Sequence, residues 1–503
     1  MTGQQVAVET RVEPSRPRAH PTRDHRWRPH DAGPDDVRRR GRLPVGILGI
    51  VLGCLLAWRA AVHTGLFDDV FWHLAAGRWM LDHHAVLRRD VFSYTVRGHS
   101  WVTPEWGYDV VLAESVRLVG PVAFWLLSAG LASLTVVAVA IRSRILGAGW
   151  TWTGLLSVEV GATLMLFLDD RPQMVSYLLL ALLLLVLTLA HRRAAWLWSL
   201  PLIFAIWANM HGSFLLGLAV VSFEVLLALV PLRAGRVGVV NRLEPFPALA
   251  GLGAAVLATL VNPFGFGIYS NGLGVTFNST ISQVIEEWQS PNFHDVPVLL
   301  VFVVPLGLIL AYVAISRGEV PAFDLVLTVF LLVCTLDAVR FLPYFVVCSC
   351  GLLAICRPLG TEQLRPTLLT WPLLALICLS MLAGHWYPAG RPSPGEPVQA
   401  TNYLEDHPGR VFSTYLWNDY LIARHIPVFV DGRTELYTDT PVFRQYLAVD
   451  ELTVSPDSLL RSYDVEYVLW PRHSPLTVYL GGDSRWKPVW HSDSTDVFRY
   501  VGH

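Results

Sequence analysis

The sequence is short of charged residues. Only 16% of its 503 residues are Asp, Glu, Lys or Arg, whereas 53% are hydrophobic and the mean hydropathy is +0.44. A soluble globular domain carries about a quarter charged residues. The shortage excludes an ordinary soluble protein and indicates one that lies in lipid. The net charge of −2 says little about partners. No pattern favours nucleic-acid binding, so no nucleic-acid partner is expected.

The common motifs of soluble enzymes are also missing. There is no P-loop, no glycine-rich dinucleotide turn, no His-Glu-x-x-His and no Gly-x-Ser-x-Gly. The six cysteines all lie in apolar runs and are not spaced as metal ligands, so neither a zinc site nor a disulfide framework is expected. No internal repeat is evident, which weakens a transporter built on inverted repeats.

Long apolar runs are what the sequence does contain. About eleven of them approach the ~20 residues that a helix needs to cross a bilayer. They cover residues 44–63, 121–141, 152–168, 173–190, 195–209, 213–231, 246–262, 297–315, 320–336, 341–356 and 366–384. The predicted fold is therefore mainly α, a polytopic transmembrane helix bundle over residues 44–384. An odd number of spans places the two termini on opposite sides.

The arginines predict the orientation of the bundle. Residues 1–43 are rich in Arg and have almost no large apolar residue before Leu43, which is typical of a disordered tail. Arginine favours the cytoplasmic side of a membrane, so we place this tail there, next to lipid headgroups. Every predicted inner connection then holds arginine: Arg142 and Arg144, Arg192 and Arg193, Arg233 with Arg236 and Arg242, Arg317, and Arg357 with Arg365.

This orientation places two long loops and the C-terminal segment outside the cell membrane. The loops cover residues 64–120 and 263–296, and the segment 385–503 has the composition of a small extracytoplasmic α/β domain. Its predicted strands are 410–416, 427–430, 465–470 and 496–501, and its predicted helices are 441–452 and 456–463. Polar motifs at the outer ends of many spans imply a water-filled cavity that opens to this side.

The first outer loop holds the most informative candidates. Asp69 precedes an amphipathic segment that contains Trp72 and His73, which predicts a helix lying in the membrane interface. Asp69 either complements the dipole of this helix or is a carboxylate at the cavity mouth, acting as a general base or a metal ligand. Glu105 lies between Trp101 and Trp106, a pattern that suits either a carbohydrate face or the membrane interface.

Further candidates follow later spans. Asp169, Asp170 and Arg171 could bind a divalent cation or a phosphate, or form an internal ion pair. Glu286 and Glu287 either complete a carboxylate set with Asp69 and Asp169 or are solvated. His211 could donate to a phosphate oxygen or act as an acid, although a lone histidine at a helix end is more often a packed structural residue. Arg340, near Asp337, is a second candidate phosphate ligand.

Several of these motifs resemble a large family of bacterial membrane proteins related to the GT-C glycosyltransferases. The resemblance begins at Asp69-Val-Phe-Trp72-His73-Leu-Ala-Ala-Gly77-Arg78-Trp79 and extends into the C-terminal segment. The other landmarks are Phe92-Ser93-Tyr94-Thr95, Trp101 with Glu105-Trp106, Arg171-Pro172-Gln173, Trp207-Ala-Asn209-Met-His211-Gly212, Asn262-Pro263-Phe264-Gly265, Glu287-Trp288-Gln289-Ser290-Pro291, Arg340-Phe-Leu-Pro343 and Phe429-Val430-Asp431-Gly432-Arg433.

The resemblance implies a function for the candidates. GT-C enzymes carry a carboxylate just after the first span, where Asp69 lies, and use polyprenyl-phosphate or polyprenyl-diphosphate sugar donors. The expected protein is a bacterial plasma-membrane glycosyltransferase that acts on a glycan, lipid or protein acceptor at the outer face. Asp69 would be catalytic. In the oligosaccharyltransferase branch, acidic residues of later outer loops bind a divalent cation (Mg or Mn), and the matches here would be Asp169, Asp170, Glu286 and Glu287. Other GT-C branches work without a metal, so metal dependence stays open. Substrate would bind at Trp72, His73, Trp101, Glu105, Trp106, Arg171, Gln173, Asn209, His211 and Arg340.

Two other functions stay open at this point. One is a transporter or flippase for a lipid-linked saccharide, for which the mid-span residues Glu159 and Glu224 are thin support. The other is a non-catalytic membrane scaffold that binds partners through its outer domain.

Overall fold

The computed structural model describes residues 45–66, 69–230, 233–234, 237–238, 243–276, 278, 285–315, 320–356, 383, 386–437 and 439–502. The whole predicted tail (1–43) and most of the last predicted span (366–384) therefore lie outside the described residues. The rest is mainly helical.

Long apolar helices form the bundle. They are α1 (Val45–His63), α4 (Val122–Ile145), α5 (Trp150–Leu166), α6 (Gln173–Ala190), α7 (Leu200–Met210), α8 (Phe214–Leu229), α9 (Pro245–Thr259), α11 (Val296–Ile315), α12 (Ala322–Asp337) and α13 (Leu342–Cys356). Of the described helices, four are long and apolar enough to cross a membrane: 45–63, 122–145, 173–190 and 296–314. They coincide with four predicted spans and support a multi-pass membrane protein; the count of eleven stays a prediction.

Small residues let α1 approach α5 closely. A Cβ atom added to Gly49 would lie 2.5 Å from the Cα of Gly154, and one added to Gly161 would lie 2.5 Å from the Cα of Gly53. Helices in lipid associate through such close backbone contacts because they gain little hydrophobic energy from one another.

One predicted loop arginine lies inside the bundle instead. Helix α4 extends past the predicted end of its span at 141, and Arg142 is buried in it. A guanidinium nitrogen of Arg142 lies 2.6 Å from Oδ1 of Asp324 on α12, and its Nε donates to Thr188 at 3.1 Å. A buried charge needs such partners, so Arg142 is no marker of a solvated inner loop.

The first loop folds into two helices, α2 (Val70–His83) and α3 (Trp106–Val119), which pack against each other. The apolar side chains of α2 that the sequence assigned to the membrane interface are covered by protein instead, and the depth of α2 in the membrane stays a prediction. Phe71 and Leu74 pack with α3, whereas Trp72 and Ala76 belong to a second hydrophobic core that is shared with the C-terminal segment.

The C-terminal segment contains a four-stranded sheet with the order β4-β5-β7-β6. Strands β4 (Val411–Ser413) and β5 (Tyr467–Pro471) are parallel, and β7 (Thr495–Tyr500) is antiparallel to both β5 and β6 (Trp486–His491). Helices α14 (Val398–Asp406), α15 (Tyr415–Ala423), α16 (Val442–Asp450), α17 (Pro456–Ser462) and α18 (Pro475–Gly481) accompany it. The other described elements are α10 (Gly267–Thr276), the two-residue strands β1 (Arg233–Ala234), β2 (Val237–Gly238) and β3 (Val320–Pro321), and four 3-10 helices (Ala194–Ser199, Glu286–Trp288, Val339–Phe341 and Thr434–Tyr437).

The C-terminal segment and the first loop share contacts as well as a core. Helix α15 packs on α2, and Val428 forms isolated β-bridges with both Ser93 and Val411. These contacts place the loop that follows α15 next to the start of α2.

Candidate functional site

Arg171 lies at the centre of a cluster of carboxylates. It belongs to the turn between α5 and α6, and its NH1 donates to Oδ2 of Asp69 at 3.0 Å. Its Nε donates to Asp169 and its NH2 to Glu287, which lies on a short 3-10 helix (Glu286–Trp288). Asp69 precedes α2, so three segments distant in sequence meet at one guanidinium.

The charges of this cluster are partly shielded from water. The side chains of Arg171 and Asp169 are 16% and 13% exposed. Burial raises the pKa of Asp169, with Arg171 opposing. Burial acts to lower the pKa of Arg171, but the carboxylates of Asp169, Glu287 and Asp69 outweigh it and hold that pKa well above its ordinary value. Arg171 is therefore a permanent cation.

A second guanidinium lies beside the cluster. Arg340 stacks over the ring of Trp288 at 4.3 Å. The neighbouring backbone N–H of Val339 donates to the carbonyl of Gln289 at 2.8 Å, which ties the two loops together. Burial acts to raise the pKa of Glu287, but Arg171 and Arg340 lower it overall. Within the described residues no carboxylate forms an ion pair with Arg340.

The C-terminal segment covers the other side of Asp69. A Cβ added to Gly432 would lie 2.3 Å from Oδ1 of Asp69 and 2.5 Å from Oδ2 of Asp419, so only glycine fits. The N–H of Gly432 donates to Asp419 at 2.8 Å, and Tyr415 donates to its carbonyl at 3.3 Å. The indole N–H of Trp72 lies 3.1 Å from the same Cβ position and has no hydrogen-bond partner among the described residues.

A buried arginine fixes this glycine loop. Arg433 is fully buried, and its guanidinium bonds Asp431 at 2.5 Å and Asp90 of the first loop at 2.8 Å. The rings of Phe92 and Trp101 lie 5.0 and 4.6 Å from it. Removing one partner of a buried ion pair costs about 3–5 kcal/mol. Arg433 therefore attaches the C-terminal segment to the first loop next to Asp69.

Two carboxyls lie behind this loop. Trp101 donates to Glu435 at 3.0 Å, and Glu105 precedes α3 close by. Burial, with help from Glu435, raises the pKa of Glu105 to about 8. Glu105 therefore holds a proton at neutral pH. Trp101 is only 3% exposed, so its predicted contact with a sugar does not fit this arrangement.

Three other predicted substrate ligands are occupied by protein groups. His73 is buried and its Nδ1 lies 2.6 Å from Oδ1 of Asp109, with burial first among the causes that lower its pKa. Trp106 donates to Asn209 at 2.8 Å, and Asn209 donates in turn to two backbone carbonyls. These contacts fix α2, α3 and α7 relative to one another. Because His73 is buried against Asp109, its predicted contact with substrate does not fit. Trp106 and Asn209 are half-buried, and their contacts with substrate stay predictions.

His211 belongs to a buried serine network. Its Nδ1 lies 2.8 Å from the hydroxyls of both Ser176 and Ser213. Burial, together with the charges of Arg340 and Arg171, lowers the pKa of His211 to about 3. The imidazole is therefore neutral at physiological pH, which argues against a protonated His211 that acts as an acid. A hydrogen bond from a neutral His211 to a phosphate oxygen stays a prediction.

The predicted metal ligands do not assemble. Asp169 and Glu287 bind Arg171, whereas Glu286 is exposed, and Asp170 lines a small cavity together with Ser128 and Asp169. Burial, with Asp169, raises the pKa of Asp170 to about 8, and its Oδ1 has no hydrogen-bond partner in the described part of the chain. Among the described residues no group of three or more His, Cys, Asp or Glu could hold a metal ion. Gln173 begins α6 and its buried Oε1 has no described partner either.

Comparison with known proteins identifies the fold. No family model and no curated protein matches the chain. A similar solved structure is the archaeal oligosaccharyltransferase AglB from Archaeoglobus fulgidus in complex with an inhibitory peptide and a dolichol-phosphate. The TM-score is 0.57 and the sequence identity is 12%. The match covers 85% of this chain and 69% of AglB. Another is ArnT from Cupriavidus metallidurans bound to undecaprenyl phosphate, with a TM-score of 0.51 and 13% sequence identity. This match covers 90% of this chain and 97% of ArnT. The chain has the fold of the GT-C glycosyltransferases.

The GT-C fold confirms the resemblance that the sequence motifs indicated. Sequence reasoning assigned no role to Asp419, Gly432, Arg433 or Glu435, which the fold brings to Asp69. A signal was present for two of them, because Val430-Asp431-Gly432-Arg433 was one of the landmark motifs. A glycine between an acid and an arginine indicates a close backbone approach. What it approaches is visible only in three dimensions.

Proposed function

We propose that this protein is a glycosyltransferase that moves a sugar from a polyprenyl-phosphate donor to an acceptor hydroxyl. The acceptor is a cell-envelope glycan, lipid or protein at the outer face of the plasma membrane. The observation that carries the proposal is the convergence of Asp69, Asp169 and Glu287 on Arg171, beside Arg340 and at one end of a GT-C bundle. AglB and ArnT are solved with dolichol-phosphate and undecaprenyl phosphate respectively, which supports a donor of that class.

Asp69 is the proposed general base. It removes the proton of the acceptor hydroxyl while the acceptor oxygen forms a bond to the anomeric carbon of the sugar. The bond from that carbon to the phosphate oxygen breaks, and its electron pair leaves with the polyprenyl phosphate. The indole N–H of Trp72 lies near the same carboxylate, but it is buried, and no role in acceptor binding is assigned to it.

Arg340 suits the donor phosphate better than Arg171 does. Arg171 already bonds three carboxylates, and this cluster carries excess negative charge that repels a phosphate. Arg340 is held flat on Trp288 without an ion pair to a described carboxylate. A fixed guanidinium presents a fork of donors that matches phosphate oxygens. The phosphate is therefore expected to bind at Arg340.

The test uses Asp69→Asn in membranes supplied with radiolabelled polyprenyl-phosphate sugar. Loss of a general base typically costs about 10²–10⁴-fold in rate, so transfer should fall by that much. The matched control is Asp82→Asn, at the exposed far end of the same helix, which should leave transfer unchanged. Unchanged transfer in Asp69→Asn would remove this residue from the mechanism.

The sidedness of the site needs its own experiment. The proposal places the C-terminal segment and the site outside the plasma membrane and the N-terminus in the cytoplasm. A cysteine introduced at exposed Asp82 should react with a membrane-impermeant maleimide in intact cells. Labelling only after the cells are opened would place the site in the cytoplasm.

Flippase activity is the competing function. Glu224, one of its two mid-span supports, has its Oε1 3.3 Å from Nε2 of His191, but this oxygen forms no hydrogen bond with a described residue, so Glu224 still supports the alternative. Translocation of a lipid-linked saccharide across vesicles, without formation of a glycosylated product, would favour this alternative.

A further inference from the structure

The centre of the carboxylate cluster is occupied by part of the chain itself. Asp69, Asp169 and Glu287 come from three separate loops, and each bonds a different nitrogen of Arg171. Bringing three carboxylates together away from bulk water is unfavourable unless a cation lies between them. A divalent metal with oxygen ligands is one such cation, and a guanidinium is another.

The guanidinium and a metal exclude each other here. A magnesium ion requires carboxylate oxygens at about 2.0–2.1 Å in octahedral geometry. The oxygens of Asp69, Asp169 and Glu287 that face the centre are already within hydrogen-bond distance of Arg171. A metal bound by all three would have to displace the guanidinium.

Local chain geometry holds Arg171 in place. Asp169, two residues before it, bonds its Nε, and Pro172, directly after it, precedes α6 with a φ of −63°. Proline fixes its own φ and restricts the residue before it. The backbone of Arg171 therefore lies in a constrained turn, and this turn positions the guanidinium at the centre of the cluster.

We propose that Arg171 is a built-in cation standing where a divalent metal shared by Asp69, Asp169 and Glu287 would lie, so that the transfer reaction of the proposed function needs no metal ion. Arg171 then acts as a positioning residue: it orients the Asp69 carboxylate and offsets part of the negative charge of the site. The statement that transfer needs no metal ion rests on the proposed function. The metal-binding test below needs neither donor nor acceptor.

The experiment measures Mn²⁺ binding to the purified full-length protein by electron paramagnetic resonance. The wild-type protein should bind no Mn²⁺ at this cluster. Arg171→Ala should gain a Mn²⁺ site, because it frees three converging carboxylates, and adding Asp169→Asn should abolish that site. Arg171→Lys keeps a cation in place and should bind no Mn²⁺. If Arg171→Ala fails to fold, Arg171→Gln, which also removes the cation, replaces it and should gain the same Mn²⁺ site.

Two results would overturn the proposal. One is a wild-type protein whose bound Mn²⁺ is lost on Glu287→Gln. The other is a folded Arg171→Ala protein that binds no Mn²⁺. In the wild-type protein, transfer should also persist in EDTA, and its loss would equally contradict the proposal. A preparation without any transfer activity would count against the proposed function but would leave the Mn²⁺ result intact.

Discussion

Substitution of Gly432 offers a way to move Asp69 without altering it. In Gly432→Ala the new methyl group would lie 2.3 Å from Oδ1 of Asp69 and 2.5 Å from Oδ2 of Asp419. An unstrained carbon–oxygen contact is about 3.3–3.6 Å, so the carboxylate must retreat by roughly 1 Å. A misplacement of that size costs about 10²-fold in rate. The specificity constant kcat/KM for transfer should therefore fall ~100-fold, equivalent to about 2.7 kcal/mol.

The assay compares initial rates of sugar transfer at several donor concentrations. Because the donor phosphate is placed at Arg340, the loss should appear mainly in kcat and not in the KM for donor. The matched control is Gly481→Ala, also in the C-terminal segment, where no atom lies within 4 Å of the added Cβ. Thermal unfolding of both variants in detergent separates misplacement from misfolding. A folded Gly432→Ala protein with wild-type kcat would refute the role given to Asp69 and Gly432.

Three further predictions concern stability, pH and donor binding. In Gly351→Ala the added Cβ would lie 2.1 Å from Arg142 and 2.4 Å from Asp324. This contact should disrupt their buried ion pair and destabilise the protein by about 3–5 kcal/mol. The control Gly307→Ala, which has open space around the added Cβ, should unfold near the wild-type temperature. The pKa of Glu105 is about 8 in the folded protein against 4.5 for an ordinary glutamate, so the folded state binds the extra proton and stability falls as the pH rises between these values. Glu105→Gln should remove this part of the decline in Tm between pH 5 and 9, and an unaltered pH dependence would contradict the burial of a protonated Glu105. Arg340→Ala should raise the KM for donor at least ~10-fold, because a charged hydrogen bond to the phosphate is lost. The control is Arg88→Ala, which removes a guanidinium that donates to the carbonyl of Pro263 and should leave this KM unchanged. Equal KM values for the two variants would place the phosphate elsewhere.

The helices of the bundle follow from the sequence, because apolar runs of spanning length leave few alternatives in lipid. The predicted spans 173–190 and 297–315 match α6 and α11 at both ends within a residue. Arg142 shows where this reasoning fails. Arginine at the end of an apolar run indicates a cytoplasmic loop only if it faces water, and its pairing with Asp324 on a distant helix cannot be read from either sequence segment.

The C-terminal segment was predicted less completely. The runs at 465–470 and 496–501 became β5 and β7, and the patterns at 441–452 and 456–463 became α16 and α17. Strand β6 was missed because its apolar residues are interrupted by Lys487 and Pro488. Helix α15 was missed because its first residues continue the apolar run of β4, and short apolar runs do not distinguish helix from strand.

The candidate site was predicted in part. Aspartate and arginine motifs at the ends of spans pointed to Asp69, Asp169, Arg171, Glu287 and Arg340, which do lie together. The same motifs also contain His73, Asn209 and His211, whose side chains form hydrogen bonds inside the protein. In a single sequence, a polar residue that binds substrate cannot be distinguished from one that fixes neighbouring helices. Only the partners of each side chain separate the two cases.

The most direct test of the account is a cryo-electron microscopy map of the protein in lipid nanodiscs that contain a polyprenyl phosphate. We expect phosphate density against the guanidinium of Arg340, with the Asp69 carboxylate still bonded to Arg171 and facing the space next to it. Phosphate density at the opposite end of the bundle, or an Asp69 carboxylate turned away from the bound phosphate, would contradict the proposed catalytic site.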